Sequence, residues 1–364
     1  MRISIEKQKL INAMQHITAV TPGKAVKPIL SGVLIQAEET IKLSATDMAV
    51  SIQCEIDGEV ADRGATVLNA KMLLDIAKTS PEDTIIIKTD DGAGATVQCG
   101  AGIITMETMP AEDFPALLLN SLGGESMQTT DTLYDAMKSV FYAASADEMM
   151  RNLNGLFFDR DENITRIVAA DGFRLSVANT DGITTHHDPF VLPFKCSKAL
   201  MDTLKTSRGG VELKLGPSML FASSEDIKLG LRLSDIDYPN YRKITEQADA
   251  PKTVVSISKE EIVKALRFAR VVTAAAKESV RMNIESESVT LIARAAGTGD
   301  MSVTADCATE GPRLDIAFNP DFLLESLEHY AGDVAQIGFT TGDAVFCLKG
   351  DGICHYIMPI RTVS

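Results

Sequence analysis

The sequence predicts an α+β chain built from three similar domains, each mainly antiparallel sheet with two helices. Three observations predict it. An opening of strand then helix occurs three times, the segments that follow alternate apolar and polar residues, and a second amphipathic helix recurs at a fixed place in each third. The register supports one period: Phe114-Pro115 and Tyr238-Pro239 lie 124 residues apart, as do Asn69 and Pro193, while Met109-Pro110 and Met358-Pro359 lie 249 apart, close to two periods.

The openings are ISIEKQKLINAMQHI (residues 3–17), SMQTTDTLYDAMKSVFYAA (126–144) and TVVSISKEEIVKALRFARVV (253–272). Each begins as a short alternating strand and passes into a 3.6-residue apolar period. The helix starts have local causes. Ser258 with Glu261 three residues on forms a capping box, and Thr130 with Asp131 caps the second opening helix.

Strands follow in GVLIQAEETIKLSATD (32–47), GLFFDRDENITRIVAAD (155–171) and VRMNIESESVTLIARAA (280–296). The second helices are VLNAKMLLDIAK (67–78), VLPFKCSKALMDTL (191–204) and IAFNPDFLLESL (316–327). Hairpins close each third over 84–110, 210–233 and 335–359. The polar or Gly-rich stretches Leu122-Gly123-Gly124-Glu125 and Gln247-Ala248-Asp249-Ala250-Pro251 read as linkers, which gives domains 1–123, 124–249 and 250–364.

A chain of 364 residues, 45% hydrophobic and 23% charged, has material for two or three cores and is not a disordered composition. No apolar run reaches the roughly 20 residues a membrane span needs, and Glu6 and Lys7 interrupt a signal-peptide pattern. The expected compartment is the cytoplasm. Cys54, Cys99, Cys196, Cys307, Cys347 and Cys354 form no CxxC pair, so buried reduced thiols are expected rather than zinc or disulfides. The net charge of −15 weighs against nucleic-acid binding only if charge is evenly spread; a basic face on an acidic protein remains open.

Catalytic motifs are missing from the sequence. No Walker A, GxSxG or HExxH pattern occurs, and no cofactor or metal site is expected. Gly92-Ala93-Gly94 and Gly100-Ala101-Gly102 precede no capped helix and read as hairpin turns. His186-His187 reads as a surface loop, and Asp90-Asp91, Asp161-Glu162 and Asp171-Gly172 read as turns. Cations recur at helical spacing in Lys264, Arg267 and Arg270, and again in Lys195, Lys198, Lys205 and Arg208. Each set is either an ordinary solvated face or part of a phosphate-facing surface. An enzyme with an unfamiliar site and a stand-alone DNA-binding module stay open as rivals at this level.

Seven stretches carry a resemblance in order along the whole chain: KPILSGVLIQ (27–36), LSATDMAVSIQ (43–53), MPAEDFP (109–115), NLNGLFFD (152–159), AADGFRLSV (169–177), DYPNYRKI (237–244) and YIMPIR (356–361). They are similar to the bacterial DNA polymerase III beta subunit, the beta sliding clamp family. The resemblance implies three DNA-clamp domains, with sheets outside and helices inside, and a head-to-tail homodimer that closes as a pseudo-sixfold ring. The family encircles duplex DNA without reading its sequence, is opened by a clamp loader, and tethers the DNA polymerase III alpha subunit, other polymerases and repair proteins through short linear motifs. It needs no cofactor and catalyses nothing; the implied location is the cytoplasm, at the nucleoid.

Carried onto this chain, the resemblance implies a partner-peptide cleft of Leu153, Gly172, Phe173, Arg174, Leu175, Pro239 and Ile244 with Met358, Pro359, Ile360 and Arg361. It implies Lys24, Lys195 and Lys198 as DNA-facing residues, and Ile104, Met106, Thr273 and Ala274 at the dimer edge. The chain departs from the family at Phe173, where a His is usual, at Thr273-Ala274-Ala275, at Met149-Met150-Arg151 and in the tail Thr362-Val363-Ser364. These departures bear on partner preference and dimer strength. A clamp-like accessory paralogue with a restricted partner set is the alternative.

Overall fold

A computed structural model of the chain describes residues 1–23, 27–90, 94–119, 126–129, 131–161, 164–183, 188–207, 210–273, 279–295 and 299–360. Lys24, Gly92-Ala93, Thr130, His186-His187, Arg208, Ala274 and Arg361 therefore lie outside the described residues. Of the expected side chains, those of Asp90 and Asp161 lie outside them too.

The three opening helices are α1 (Lys7–Val20), α3 (Asp131–Phe141) and α6 (Lys259–Thr273); the three second helices are α2 (Ala70–Thr79), α4 (Phe194–Thr206) and α7 (Pro320–Glu328). Their starts follow from local chemistry. The Asn69 side chain accepts a hydrogen bond from the Met72 amide at the start of α2, and Asn319 accepts one from the Asp321 amide at the start of α7, where Pro320 occupies the first turn. Ser258 accepts from the Glu261 amide at 3.5 Å, a long version of the expected capping contact. A further short helix, α5 (Arg242–Ala248), is marked by no periodicity in the sequence.

The chain divides into two compact units: residues 1–134, 182–187 and 195–235 in the first, and 135–181, 188–194 and 236–364 in the second. In the first unit a five-stranded sheet runs Glu59–Asp62, Arg2–Glu6, Thr84–Asp90, Gly94–Cys99, Gly102–Met106. Its eight-stranded sheet joins strands of the first and middle thirds, because Ile227–Arg232 pairs antiparallel with Val50–Ile56. Ile3, Leu10, Met14 and Ile17 are fully buried in this unit. Burial of one such side chain contributes roughly 1.5–3 kcal/mol.

The second unit carries a twelve-stranded antiparallel sheet. Its central seam pairs Arg174–Thr180 of the middle third with Ile353–Ile357 of the last, Arg174 opposite Ile357 and Ala178 opposite Ile353. The last third's core holds Phe318, Phe339 and Phe346 with Ile262, Leu266, Leu323 and Leu327 from α6 and α7. Gly155 sits at φ +125, and a Cβ there would lie 2.2 Å from the Leu192 carbonyl oxygen, so the turn into the strand Leu156–Asp161 requires glycine. All six cysteines are free thiols, and four are buried.

Candidate functional site

The seam strands place one group of sequence-predicted residues together. Asp171-Gly172 forms the tight turn between Ile164–Ala170 and Arg174–Thr180, with Gly172 at φ +90. Asp171 stabilises this turn with its side chain, accepting from the amides of Phe173 at 2.9 Å and Arg174 at 3.0 Å. The register then brings the end of Ile353–Ile357 alongside, and the Met358 amide donates to the Phe173 carbonyl at 2.9 Å. Two residues on, the Ile360 amide donates to the Ala317 carbonyl at 2.7 Å. The C-terminal segment is thus tied at one end to the Phe173 turn and at the other to the strand Leu314–Phe318.

These ties hold apolar groups in solvent. Phe173 is 59% exposed, and Met358 and Ile360 are each 43% exposed. Below them a cluster of buried residues includes Val168, Leu175, Tyr241, Val345 and Tyr356, with Leu153, Phe157 and Tyr238 packed against it. Leu175 is therefore floor, at 3% exposure, rather than a contact surface. Tyr238 stacks on Phe157 with centroids 4.8 Å apart, and Tyr241 meets Phe157 edge-on at 6.2 Å. The Tyr241 hydroxyl donates to Asp159 at 2.6 Å, and Arg242 donates to the same carboxylate oxygen at 2.8 Å. Burial, with the Asp159 carboxylate as a further cause, pushes the Tyr241 phenol up to about 12. These anchors fix the segment that presents Pro239 and Ile244, both exposed.

Arg174 is the charged member of the group. Its Nε donates to Asp171 Oδ2 at 2.9 Å, its Nη1 to Glu325, and its Nη2 to the Tyr142 carbonyl at 3.0 Å. Its guanidinium carbon lies 5.0 Å from the Tyr142 ring centroid and 4.9 Å from that of Phe322. Only 13% of the side chain is exposed. The protein holds Arg174 in place through three of the five donors of its guanidinium.

Behind it lies a polar network that no sequence pattern marks. The Tyr142 hydroxyl is 3.0 Å from Ser176 Oγ, 2.9 Å from Ser326 Oγ and 2.9 Å from His355 Nδ1, and Ser176 Oγ is also 2.9 Å from that nitrogen. His355 is fully buried and its Nε2 has no hydrogen-bond partner. Burial, with a smaller contribution from His329, pushes the imidazole down to about 3. A cavity of about 280 Å³ opens further along the seam, lined by Arg166, Asn179, Thr245 and Lys349 among others. It shares Tyr241 and Tyr356 with the buried cluster and contains none of the cleft residues expected from the sequence.

The other expected residues fall elsewhere. Lys195 and Lys198 are exposed on α4, with Lys205 at the same helical spacing. On α6, Lys264 pairs with Glu260 at 2.6 Å and Arg270 with Asp321 at 2.8 Å, so the cationic stripe is partly neutralised within the chain. Ile104 is 38% exposed on Gly102–Met106, an end strand of the five-stranded sheet, and neighbouring Ile103 is 65% exposed. Met106 points into its own core at 2% exposure. Thr273 is likewise buried at 3%, its hydroxyl donating to the Ala269 carbonyl. Neither offers a surface in the single chain.

A thrice-repeated α+β chain with antiparallel sheets running from one repeat into the next, and an apolar, arginine-walled surface at a seam, defines the clamp class of fold. Residues 1–118, 128–240 and 249–361 match, in that order, the N-terminal, central and C-terminal domain models of the DNA polymerase III beta subunit. The chain belongs to this family. It is 26% identical to the beta sliding clamp of Streptomyces coelicolor over 99% of both chains. It is 25% identical to a beta sliding clamp homolog, GriR, of Streptomyces muensis, again over 99% of each. The crystal structure of the Thermotoga maritima beta subunit superposes with a TM-score of 0.93 at 24% identity, covering all of both chains.

Proposed function

We propose that two copies of the chain close head to tail into a ring around duplex DNA and tether the DNA polymerase III alpha subunit, conferring processivity without a catalytic centre of its own. The observation that carries this reading is the in-order match of all three family domains along the chain. The proposed domains are 1–123, 124–249 and 250–364. In this reading a clamp loader opens the ring, and other polymerases and repair proteins dock through short linear motifs. The work is done in the cytoplasm, at the nucleoid; among the described residues no helix is long and apolar enough to cross a membrane.

The partner cleft is assigned to Leu153, Gly172, Phe173, Arg174, Pro239 and Ile244 with Met358, Pro359, Ile360 and Arg361, over a floor that includes Leu175. Exposed Phe173, Met358 and Ile360 supply adaptable apolar area, and the fixed Arg174 supplies direction. The dimer contact is assigned to the sheet edge carrying Ile104, against the last domain beyond α6. Burial of Ile103 and Ile104 in that contact would remove two exposed apolar side chains from a strand at the end of its sheet. The homolog name of the Streptomyces muensis relative keeps a second reading in view, an accessory clamp with a restricted partner set.

Light scattering across a dilution series tests the ring. The expected result is twice the 39.2 kDa chain mass down to sub-micromolar protein; a monomer throughout would overturn encirclement by two copies. The DNA-facing assignment of Lys24, Lys195 and Lys198 has its own test. In Lys198→Glu the salt dependence of binding to linear duplex should become shallower, by about 1 in the slope of log K against log salt. Loading onto circles should slow while peptide binding stays unchanged. An unaltered slope would remove Lys198 from the DNA face.

A further inference from the structure

The second unit contains a chain of five planar groups in contact. Phe173 lies 6.1 Å from Phe322 between ring centroids, with planes 22° from parallel. Phe322 and Tyr142 both pack on the Arg174 guanidinium, at 4.9 and 5.0 Å. Tyr142 in turn stacks on His329, 4.6 Å away and within 9° of parallel. The groups come from three places: the Phe173 turn, the residue just beyond α3, and α7 with its C-terminal cap.

Tyr142 holds this chain of contacts at its middle. Its ring supports the guanidinium and its carbonyl takes an Nη2 proton, so one residue restrains Arg174 in two independent ways. Its own freedom is removed at the other end, where the hydroxyl meets Ser176, Ser326 and His355. These buried hydrogen bonds of the Tyr142 hydroxyl add to the stability of the fold. The ring contact concerns Arg174, because a cation over an aromatic face gains most when both are shielded from water.

We propose that Tyr142 is a positioning residue of the partner cleft, acting through Arg174. It keeps the guanidinium set for a peptide before any peptide arrives, and so reduces the ordering cost of binding. The inference rests on the cleft assignment above, and the two fail differently.

The test uses the full-length protein and a fluorescein-labelled peptide carrying the clamp-contacting motif of the polymerase III alpha subunit. Tyr142→Phe keeps the ring and loses the hydroxyl. Tyr142→Met fills similar space without a ring. The Phe variant should melt at a lower temperature yet bind within twofold of the parent, while the Met variant should bind about tenfold more weakly. Equal losses in both would make affinity follow stability and overturn the proposal; so would a Met variant that binds like the parent. A measurement independent of either variant's folding is exchange of the Arg174 Nη2 protons, one of which the Tyr142 carbonyl takes, in the peptide-free parent. Protection supports a preset guanidinium, and free exchange overturns it. If the parent itself binds no peptide, the cleft assignment falls and Tyr142's role with it.

Discussion

Lowering the pH from 7 to 4 should destabilise the second unit by about 3 kcal/mol through His355 alone. The imidazole is pushed down to about 3 in the folded protein, first by burial and then by His329. In the unfolded chain it titrates near 6.5. A histidine held neutral by folding favours the folded state above the unfolded value. The unfolded state gains protons first as pH falls below about 6.5, and the loss continues until the folded value is reached. Proton uptake inside the fold is opposed because Nε2 has no acceptor and Nδ1 already faces the Tyr142 and Ser176 hydroxyls. Urea unfolding of the parent and of His355→Gln at both pH values isolates the effect. The variant should lose about 3 kcal/mol less than the parent over the same interval. Equal losses would mean that His355 is protonated in the fold or reached by water.

The seam also shows what a sequence can and cannot reveal. The caps at Asn69 and Asn319 are local but were not read from the sequence. The repeats were readable because helix and strand periods are local, and so is the capping contact from the Glu261 amide to Ser258. Asp171-Gly172 was readable as a turn for the same reason. Helix α5 was not. Its N-terminal residue Tyr241 makes no side-chain cap, and the segment is fixed instead by Asp159, more than 80 residues earlier. The Tyr142 network joins residues 34, 184 and 213 positions apart, and no periodicity connects them. The cleft residues were reached only through the family resemblance; composition alone leaves Met358–Ile360 an ordinary terminal strand. Resemblance did not indicate that Met106 and Thr273 are buried within the chain, because it carries position along the chain, not the direction of a side chain. At position 173, by contrast, the departure noted in the sequence has a physical counterpart: the phenyl ring stacks on Phe322 and stays more than half exposed.

Replacing Arg174 with alanine should have the largest effect on partner binding, a loss of at least tenfold in peptide affinity with the dimer intact. The reason is the number of groups the guanidinium serves at once. Asp171, Glu325 and the Tyr142 carbonyl each lose a donor, and Tyr142 and Phe322 lose the cation between them. Removing one partner of a buried charged pair costs about 3–5 kcal/mol; here Asp171 is 20% and Glu325 45% exposed, so water screens both and about 2 kcal/mol is the expected loss of stability. Arg174→Lys should restore part of the stability but little of the affinity, because an ammonium cannot donate in three directions from one plane or lie flat between two rings. Deleting residues 358–364 should also weaken peptide binding while leaving Arg174's contacts in place, since Asp171, Glu325 and Tyr142 all lie outside that segment. Fluorescence polarisation with the labelled peptide, paired with light scattering, separates cleft damage from loss of the dimer. If Arg174→Ala binds the peptide like the parent, the charge is a strut of the seam alone, and the partner surface lies elsewhere on the chain.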